Sequence, residues 1–298
     1  MRLYKYVRAL EIQQDCGDQS TRGIVDISVR LDRSIRESRI YFSHPAAFND
    51  PLECTVPVTI ENYQLYRQNY LEYLGKIISE RVGDRENSFD RSRRIHEACE
   101  YGMPLENCLV YCFTRCENNR LMWSHYADQN RGICLCYEFP DSNEELEQQI
   151  IWSDQIAFDS RHFGMQCLSR PVVYERVRPS LHISNTSSPI EQWKFDNDYA
   201  LIDAIFTKKE EWSYEQEWRL ALVLPLRCEK AFPAGIDIGD YYSTLPKEWL
   251  KGIIFGLRLD ENYCNRIRNI VDESGYVNVE YRKARMAHGE VGLIYESY

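Results

Sequence analysis

Glu215, Glu217 and Arg219 stand at alternate positions of the stretch WSYEQEWRL, residues 212–220. Side chains of a strand alternate between its two faces. Read as a strand, the stretch therefore puts these three on one face and Tyr214, Gln216, Trp218 and Leu220 on the other. Two carboxylates beside a guanidinium suit the stabilisation of developing positive charge or the binding of an anion. Exposed on a sheet, the same three would be an ion-pair ladder worth well under about 1 kcal/mol per pair.

Three further segments set polar groups among aromatic ones. Lys5 and Tyr6 lie in LYKYV; Ser43, Phe48, Asn49, Asp50 and Glu53 lie in FSHPAAFNDPLE; Trp123, His125 and Tyr126 lie in MWSHYAD. Each has a plainer reading, since Asn49 and Asp50 before Pro51 suit a side-chain-capped turn and Trp123 and His125 suit the core beneath a short helix. Asp50, Glu53 and Glu217 would also serve as oxygen ligands for Mg²⁺, with His125 or Lys5 assisting, in a metal-dependent phosphodiesterase or nuclease. A third use of the same residues is a non-enzymatic sensor or partner-binding module whose aromatic pocket holds a nucleotide or a protein segment.

The elements that must carry these residues follow from periodicity. LYKYV (3–7) and RIYFS (39–43) read as strands, and HPAAFNDPLEC reads as an ordered loop, because Pro45 and Pro51 each lack an amide hydrogen. Tyr63, Tyr66, Tyr70, Tyr73, Ile77 and Ile78 recur at helical spacing, and with a charge-rich segment at 89–101 they predict a helical insertion over about 61–105. CLVYCFTR (108–115) returns to strand, 118–128 reads as a short helix and GICLCYEF (132–139) as an apolar strand. Segment 140–170 is acidic and partly helical, PVVYERV (171–177) is a strand, and 191–210 is a long helix. After the expected strand at 212–220 come a strand at 250–259, a helix at 260–273 and closing strands near 276–281 and 291–296. Strands and helices mix without strict βαβ alternation, so the expected fold is α+β: one domain over 1–298 around a mixed, mostly antiparallel sheet.

Composition narrows the class. The net charge of −10 argues against non-specific coating of nucleic acid, which depends on many cationic contacts to phosphate. The first fifteen residues lack the roughly 7 to 15 residue apolar core of a signal peptide, and no run approaches the roughly 20 residues of a spanning helix. A cytoplasmic protein without a membrane partner is expected. The eleven cysteines are then reduced thiols, and without paired C-x2-C spacing they read as small buried hydrophobes rather than zinc ligands. Gly-rich dinucleotide and P-loop cradles are absent from the sequence, as is a G-x-S-x-G elbow.

In their order along residues 3–258, the blocks LYKY, YFSHPAAFNDPLE, CFT, MWSHYAD, GICLCYEF, WSYEQEWRL and IIFGLR resemble a bacterial family of uncharacterised proteins. The succession of an LYKY strand, a YFS strand and a late Glu-x-Glu entering an apolar strand is similar to ADP-ribosyltransferases. That resemblance implies an ADP-ribosyltransferase-like sheet, NAD as substrate, and Glu217 as the catalytic glutamate. Glu215 would be the residue two before it and Ser43 the middle-strand serine. Lys5 falls where that family carries His or Arg, and a cation there would pair with phosphate. By the same resemblance Tyr6, Phe48, Trp123 or Tyr126 would stack on nicotinamide or adenine, and Arg219 or Lys5 would bind diphosphate. Asn49, Asp50 and His125 would complete the pocket. The activity implied is ADP-ribosyl transfer or NAD hydrolysis in a bacterial toxin or phage-defence effector, with a macromolecular acceptor (protein or nucleic acid) and a regulatory partner as further expectations.

Overall fold

Lys5 sits in a strand flanked unequally on its two sides, and that inequality organises the molecule. The computed structural model describes residues 1–13, 24–50, 52–60, 103–105, 107–183, 198–224, 241–287, 289 and 292–298. An eight-stranded sheet runs through it, built from β1 (Arg2–Val7), β2 (Cys108–Thr114), β3 (Ile133–Glu138), β4 (Gln166–Pro171), β5 (Glu217–Val223), β6 (Leu250–Phe255), β7 (Glu280–Met286) and β8 (Leu293–Ser297). Their order across the sheet is β4-β5-β2-β1-β3-β6-β7-β8, and every neighbouring pair is antiparallel except β6 and β7. The fold is thus mixed α/β with a large, mostly antiparallel sheet and few helices.

The sheet splits beside β1. On one side β1 pairs with β3 at every residue, from Arg2↔Glu138 to Val7↔Ile133; on the other it pairs with β2 only at Tyr4↔Thr114. Past that point another segment takes over the β2 edge: Ser43 donates to the Val110 carbonyl at 2.9 Å and accepts from the Val110 amide at 2.8 Å. Between these two junctions the Lys5 ammonium donates to the Cys112 carbonyl at 2.7 Å, satisfying an acceptor that the ladder leaves without a strand partner. A cleft opens along the split.

Among the described residues six α-helices accompany the sheet: α1 (Val29–Arg36), α2 (Arg120–His125), α3 (Asn143–Gln149), α4 (Asp154–Phe163), α5 (Asp198–Ile205) and α6 (Glu261–Glu273). The longest, α6, is capped by Asp260, whose carboxylate accepts the Asn262 amide at 2.9 Å, and buries Cys264, Ile267, Ile270 and Val271 at helical spacing. It supplies the crossover that the parallel β6–β7 pair requires. Gly132 lets the turn after α2 lie against β1, because a Cβ there would overlap the Val7 carbonyl oxygen. The two faces of β1 feed different cores: Leu3 joins Ile40, Phe42 and Phe113, whereas Tyr4 and Tyr6 join Met122, Trp123 and Cys134.

Several expected boundaries move. The RIYFS strand is only Arg39–Tyr41, pairs with Tyr242–Thr244 outside the main sheet, and leaves Ser43 to bridge to β2. PVVYERV contributes a short strand, Val173–Glu175, parallel to Thr207–Lys209, while the sheet edge is β4, which begins at the end of the segment read as acidic and partly helical, after α3 and α4. The helix expected to reach residue 210 ends at Ile205, since Thr207–Lys209 is taken into that pairing. The closing strands begin later because Gly275 and Asn278, both at positive φ, first turn the chain after α6. Of the insertion expected over 61–105, residues 61–102 lie outside the described residues, and Met103–Pro104 forms a short strand with Thr55–Val56.

Candidate functional site

WSYEQEWRL is not one strand. Residues Glu210–Glu215 form a 3-10 helix, Gln216 adopts the left-handed conformation (φ 43°, ψ 51°), and the strand starts only at Glu217. The turn nevertheless brings Glu215 beside Glu217, because one cation bridges them: Lys208 Nζ lies 2.6 Å from Glu215 Oε2 and 3.2 Å from Glu217 Oε2. The same ammonium lies 3.2 Å from Glu53 Oε2. Arg219, two residues along β5 on the same face as Glu217, meets it through Nε at 2.9 Å and a terminal nitrogen at 3.0 Å, and also pairs with Glu53 and donates to the Ile205 carbonyl.

Three carboxylates thus share two cations, and burial makes the sharing matter. Glu217 is 6% exposed and Arg219 is 0% exposed. Burial alone would raise the Glu217 carboxyl, but Arg219 and Lys208 outweigh it and hold the group at about 2, so it is ionised at neutral pH. Burial likewise opposes the charge on Lys208, and Glu217, Glu53 and Glu215 reverse that and push the ammonium upward. Glu53 goes the other way: burial raises its carboxyl above the ordinary value despite Arg219. The expectation of an exposed ladder gives way to a buried network, in which removing one partner strands the others.

Neighbouring groups fix the carboxylates in place. Tyr126 donates to Glu215 Oε1 at 2.7 Å, the Thr114 hydroxyl donates to the Glu215 carbonyl, and the Tyr174 hydroxyl accepts the Glu217 amide at 2.7 Å. Helix α2, which delivers Tyr126 and His125, is capped by Asn119, whose side-chain oxygen accepts the Leu121 amide at 2.9 Å; its amide nitrogen donates to the Tyr214 carbonyl at 2.7 Å, tying α2 to the 3-10 turn.

These groups wall a cavity of about 310 Å³ at the split. Glu53, Glu215, Glu217 and Lys208 line it from the β5 side, Lys5 and Tyr6 from β1, Ser43, Phe48 and Asn49 from the loop, and His125 and Tyr126 from the end of α2. Nine of the residues expected for the site therefore converge on one cleft: Lys5, Tyr6, Ser43, Phe48, Asn49, His125, Tyr126, Glu215 and Glu217. Lys5 is half-buried; desolvation lowers its ammonium, with Cys112 and Glu217 opposing, and it lies 4.4 Å from the centre of the Tyr111 ring.

Three expected site residues are elsewhere. Trp123 is fully buried under Tyr6, which it meets edge-on at 5.0 Å, and its Nε1 donates to the Tyr295 hydroxyl at 3.0 Å, so it supports the wall from behind. Asp50 does not reach the cavity; its carboxylate accepts the Leu52 amide at 2.9 Å, as the turn reading predicts. Arg219 stands behind Glu217 and spends its donors there, so no face is offered to a diphosphate. Asp50 is also missing from the oxygen-ligand set suited to Mg²⁺, and Lys208 and Arg219 already occupy Glu53 and Glu217. Among the described residues no group of three or more His, Cys, Asp or Glu side chains is arranged to hold a metal ion. Lys208 was not foreseen. The sequence holds no signal for it, since TKKEEW carries two adjacent lysines and only the structure buries Lys208 and leaves Lys209 half-buried.

Residues 122–220 match a family model described as a protein of unknown function, DUF2971. The match runs from α2 into β5 and so contains His125, Tyr126, Lys208, Glu215, Glu217 and Arg219, but not Lys5, Ser43 or Glu53. No curated protein and no solved structure matches the chain. No helix among the described residues is long and apolar enough to cross a membrane.

Proposed function

We propose that the cleft cleaves the bond between nicotinamide and ribose in NAD, the chain acting as an ADP-ribosyltransferase or NAD glycohydrolase. The observation that carries this reading is Glu217: an ionised carboxylate with both oxygens held by Arg219, edging a cleft with aromatic groups across from it. Breaking an N-ribosyl bond moves its electron pair onto the pyridinium nitrogen, so nicotinamide leaves neutral and needs no proton. The ribose carbon left behind has oxocarbenium character and takes an acceptor oxygen, from water in hydrolysis or from a macromolecule in transfer, and the acceptor's proton passes to solvent. A fixed anion stabilises that charge more than it stabilises the ground state, and it can also accept a hydrogen bond from a ribose hydroxyl. Tyr6, Phe48 and Tyr126 offer faces and edges for the departing ring. Glu215 joins the pocket through Tyr126 and Lys208, and its role in this reading is to position the Lys208 ammonium.

The test is nicotinamide release from NAD by the purified chain, with and without EDTA. Glu217→Gln is expected to lower a chelator-resistant release by about 100-fold or more, the scale of losing a preorganised electrostatic partner. Activity that vanishes in EDTA would favour a metal-dependent phosphodiesterase instead. A nucleotide that raises the melting temperature without being consumed would favour a binding module.

A further inference from the structure

A second cavity of about 460 Å³ adjoins the first, and Lys5, Ser43, Phe48 and Cys112 line both. Its character differs. No carboxylate network crosses it; instead Arg8 and Arg30 line it together with Tyr41, Tyr111 and Tyr137. Among the described residues Arg8 has no ion-pair partner, and Arg30 has only a long bond of 3.5 Å to the Tyr41 carbonyl and a place 5.7 Å from that ring. Two other charged groups on this wall are already engaged: Arg39 pairs with Glu37 at 2.6 Å, and Glu11 accepts the Val29 amide at 2.7 Å. The Tyr41 side chain is 9% exposed, lines the cavity, and its hydroxyl has no hydrogen-bond partner among the described residues. A buried hydroxyl left in that state costs about 1–3 kcal/mol unless something else satisfies it.

In a chain of net charge −10, guanidinium groups with donors to spare beside an orphaned buried hydroxyl and three tyrosine rings have the chemistry of a site for a phosphorylated, ring-bearing ligand. We propose that this second cavity binds the diphosphate and the distal nucleoside of the substrate, with Arg8, Arg30 and the Tyr41 hydroxyl on the phosphate oxygens and Lys5 at the passage into the first cavity. The inference rests on reading the first cavity as the place of bond cleavage. It restricts the substrate to two-part nucleotides joined through phosphate, since the first cavity alone stands at the lower end of the roughly 300–1,000 Å³ of small-molecule sites.

The experiment is calorimetric titration of the full chain with ADP and with inorganic pyrophosphate, in wild type and in Arg8→Ala, Arg30→Ala, Tyr41→Phe and Glu217→Gln. Both arginines are exposed and Tyr41→Phe deletes only the unpaired hydroxyl, so all three variants should fold. ADP should bind wild type more tightly than pyrophosphate does, because only ADP reaches the tyrosine rings. Each arginine variant should weaken ADP by about 10-fold, the loss of one charge-assisted partner, and Tyr41→Phe by less. Glu217→Gln should leave ADP affinity within about 2-fold, as its group belongs to the other cavity. No ADP binding by wild type, or unchanged affinity in the Arg8→Ala/Arg30→Ala double variant, overturns the inference. The two readings fail separately. Arginine-dependent ADP binding without any release of nicotinamide from NAD sinks the proposed reaction and keeps this site; NAD cleavage whose KM ignores both arginines does the reverse.

Discussion

Two lysines line the cleft from either side of the split, Lys208 buried and Lys5 half-buried, and although burial opposes the charge on both, their neighbours treat them differently. On the β5 side Lys208 lies within 3.2 Å of three carboxylates, and its ammonium is pushed above the ordinary lysine value. On the β1 side Lys5 donates to a backbone carbonyl and lies over a tyrosine ring, forms no ion pair among the described residues, and its ammonium is pulled down by desolvation. One wall pairs its cations with carboxylates of its own. The other presents a cation that forms no ion pair among the described residues, the feature on which the proposed phosphate site draws.

The largest effect expected from breaking this contrast is at Arg219. Arg219→Ala leaves Glu217 and Glu53 buried around a single cation and should destabilise the fold by about 3–5 kcal/mol in urea unfolding. A cost below about 1 kcal/mol would mean the network is solvated and the contrast false.

The next effect is in acid. The Glu217 carboxyl is held at about 2 in the folded chain against an ordinary 4.5, so its contribution is present above 4.5 and lost as pH falls from there through about 2. Glu53, raised by burial, works in the opposite sense, losing its contribution as pH rises through its folded value. Wild type should therefore lose stability between about pH 4.5 and 2, and Glu217→Gln should lose less over that window when followed by circular dichroism. An identical acid limb in both would place the carboxylate in solvent.

The lysines themselves give a smaller and cleaner separation. Because Lys5 is lowered from 10.5, its burial penalty is relieved as pH rises toward 10.5, whereas the Lys208 contribution is lost only as pH rises beyond 10.5. Lys5→Met should flatten the first of these trends and shift neutral-pH stability by about 1 kcal/mol or less, desolvation relief offsetting the stranded Cys112 carbonyl. Lys208→Met should flatten the second. Smallest of all is His125→Ala: the ring is exposed, so stability should stay within about 0.5 kcal/mol while NAD turnover falls, a split that separates pocket residues from scaffold.

The legible part of this molecule was local. Alternation marked β1 and the Glu217–Arg219 face, an unbroken apolar run marked β3, which is buried along nearly its whole length, and the helix read at 260–273 is α6. Periodicity failed where a partner strand overrode it: Thr207–Lys209 left the expected helix to pair with Val173–Glu175, and Gln216 turned through a positive φ that no repeat pattern encodes. Trp123 follows the plainer reading of its residues, core beneath a short helix, and not the stacking role that the resemblance implied, for an indole among polar neighbours looks the same whether it faces a pocket or props one up.

Residue types and spacings by themselves determined that carboxylates, cations and aromatics would sit at strand ends and turns, and that Glu217 and Arg219 would share a face. Only the tertiary structure decided that Glu53, 164 positions before Glu217, and Lys208 would meet there, since that depends on which strands pair and where the pairing stops. The split beside β1 made the same choice for Lys5. Its chemistry is written in LYKYV, but its place opposite a backbone carbonyl, with no carboxylate partner among the described residues, comes from β2 exchanging β1 at Thr114 for Ser43 at Val110, with Cys112 left between.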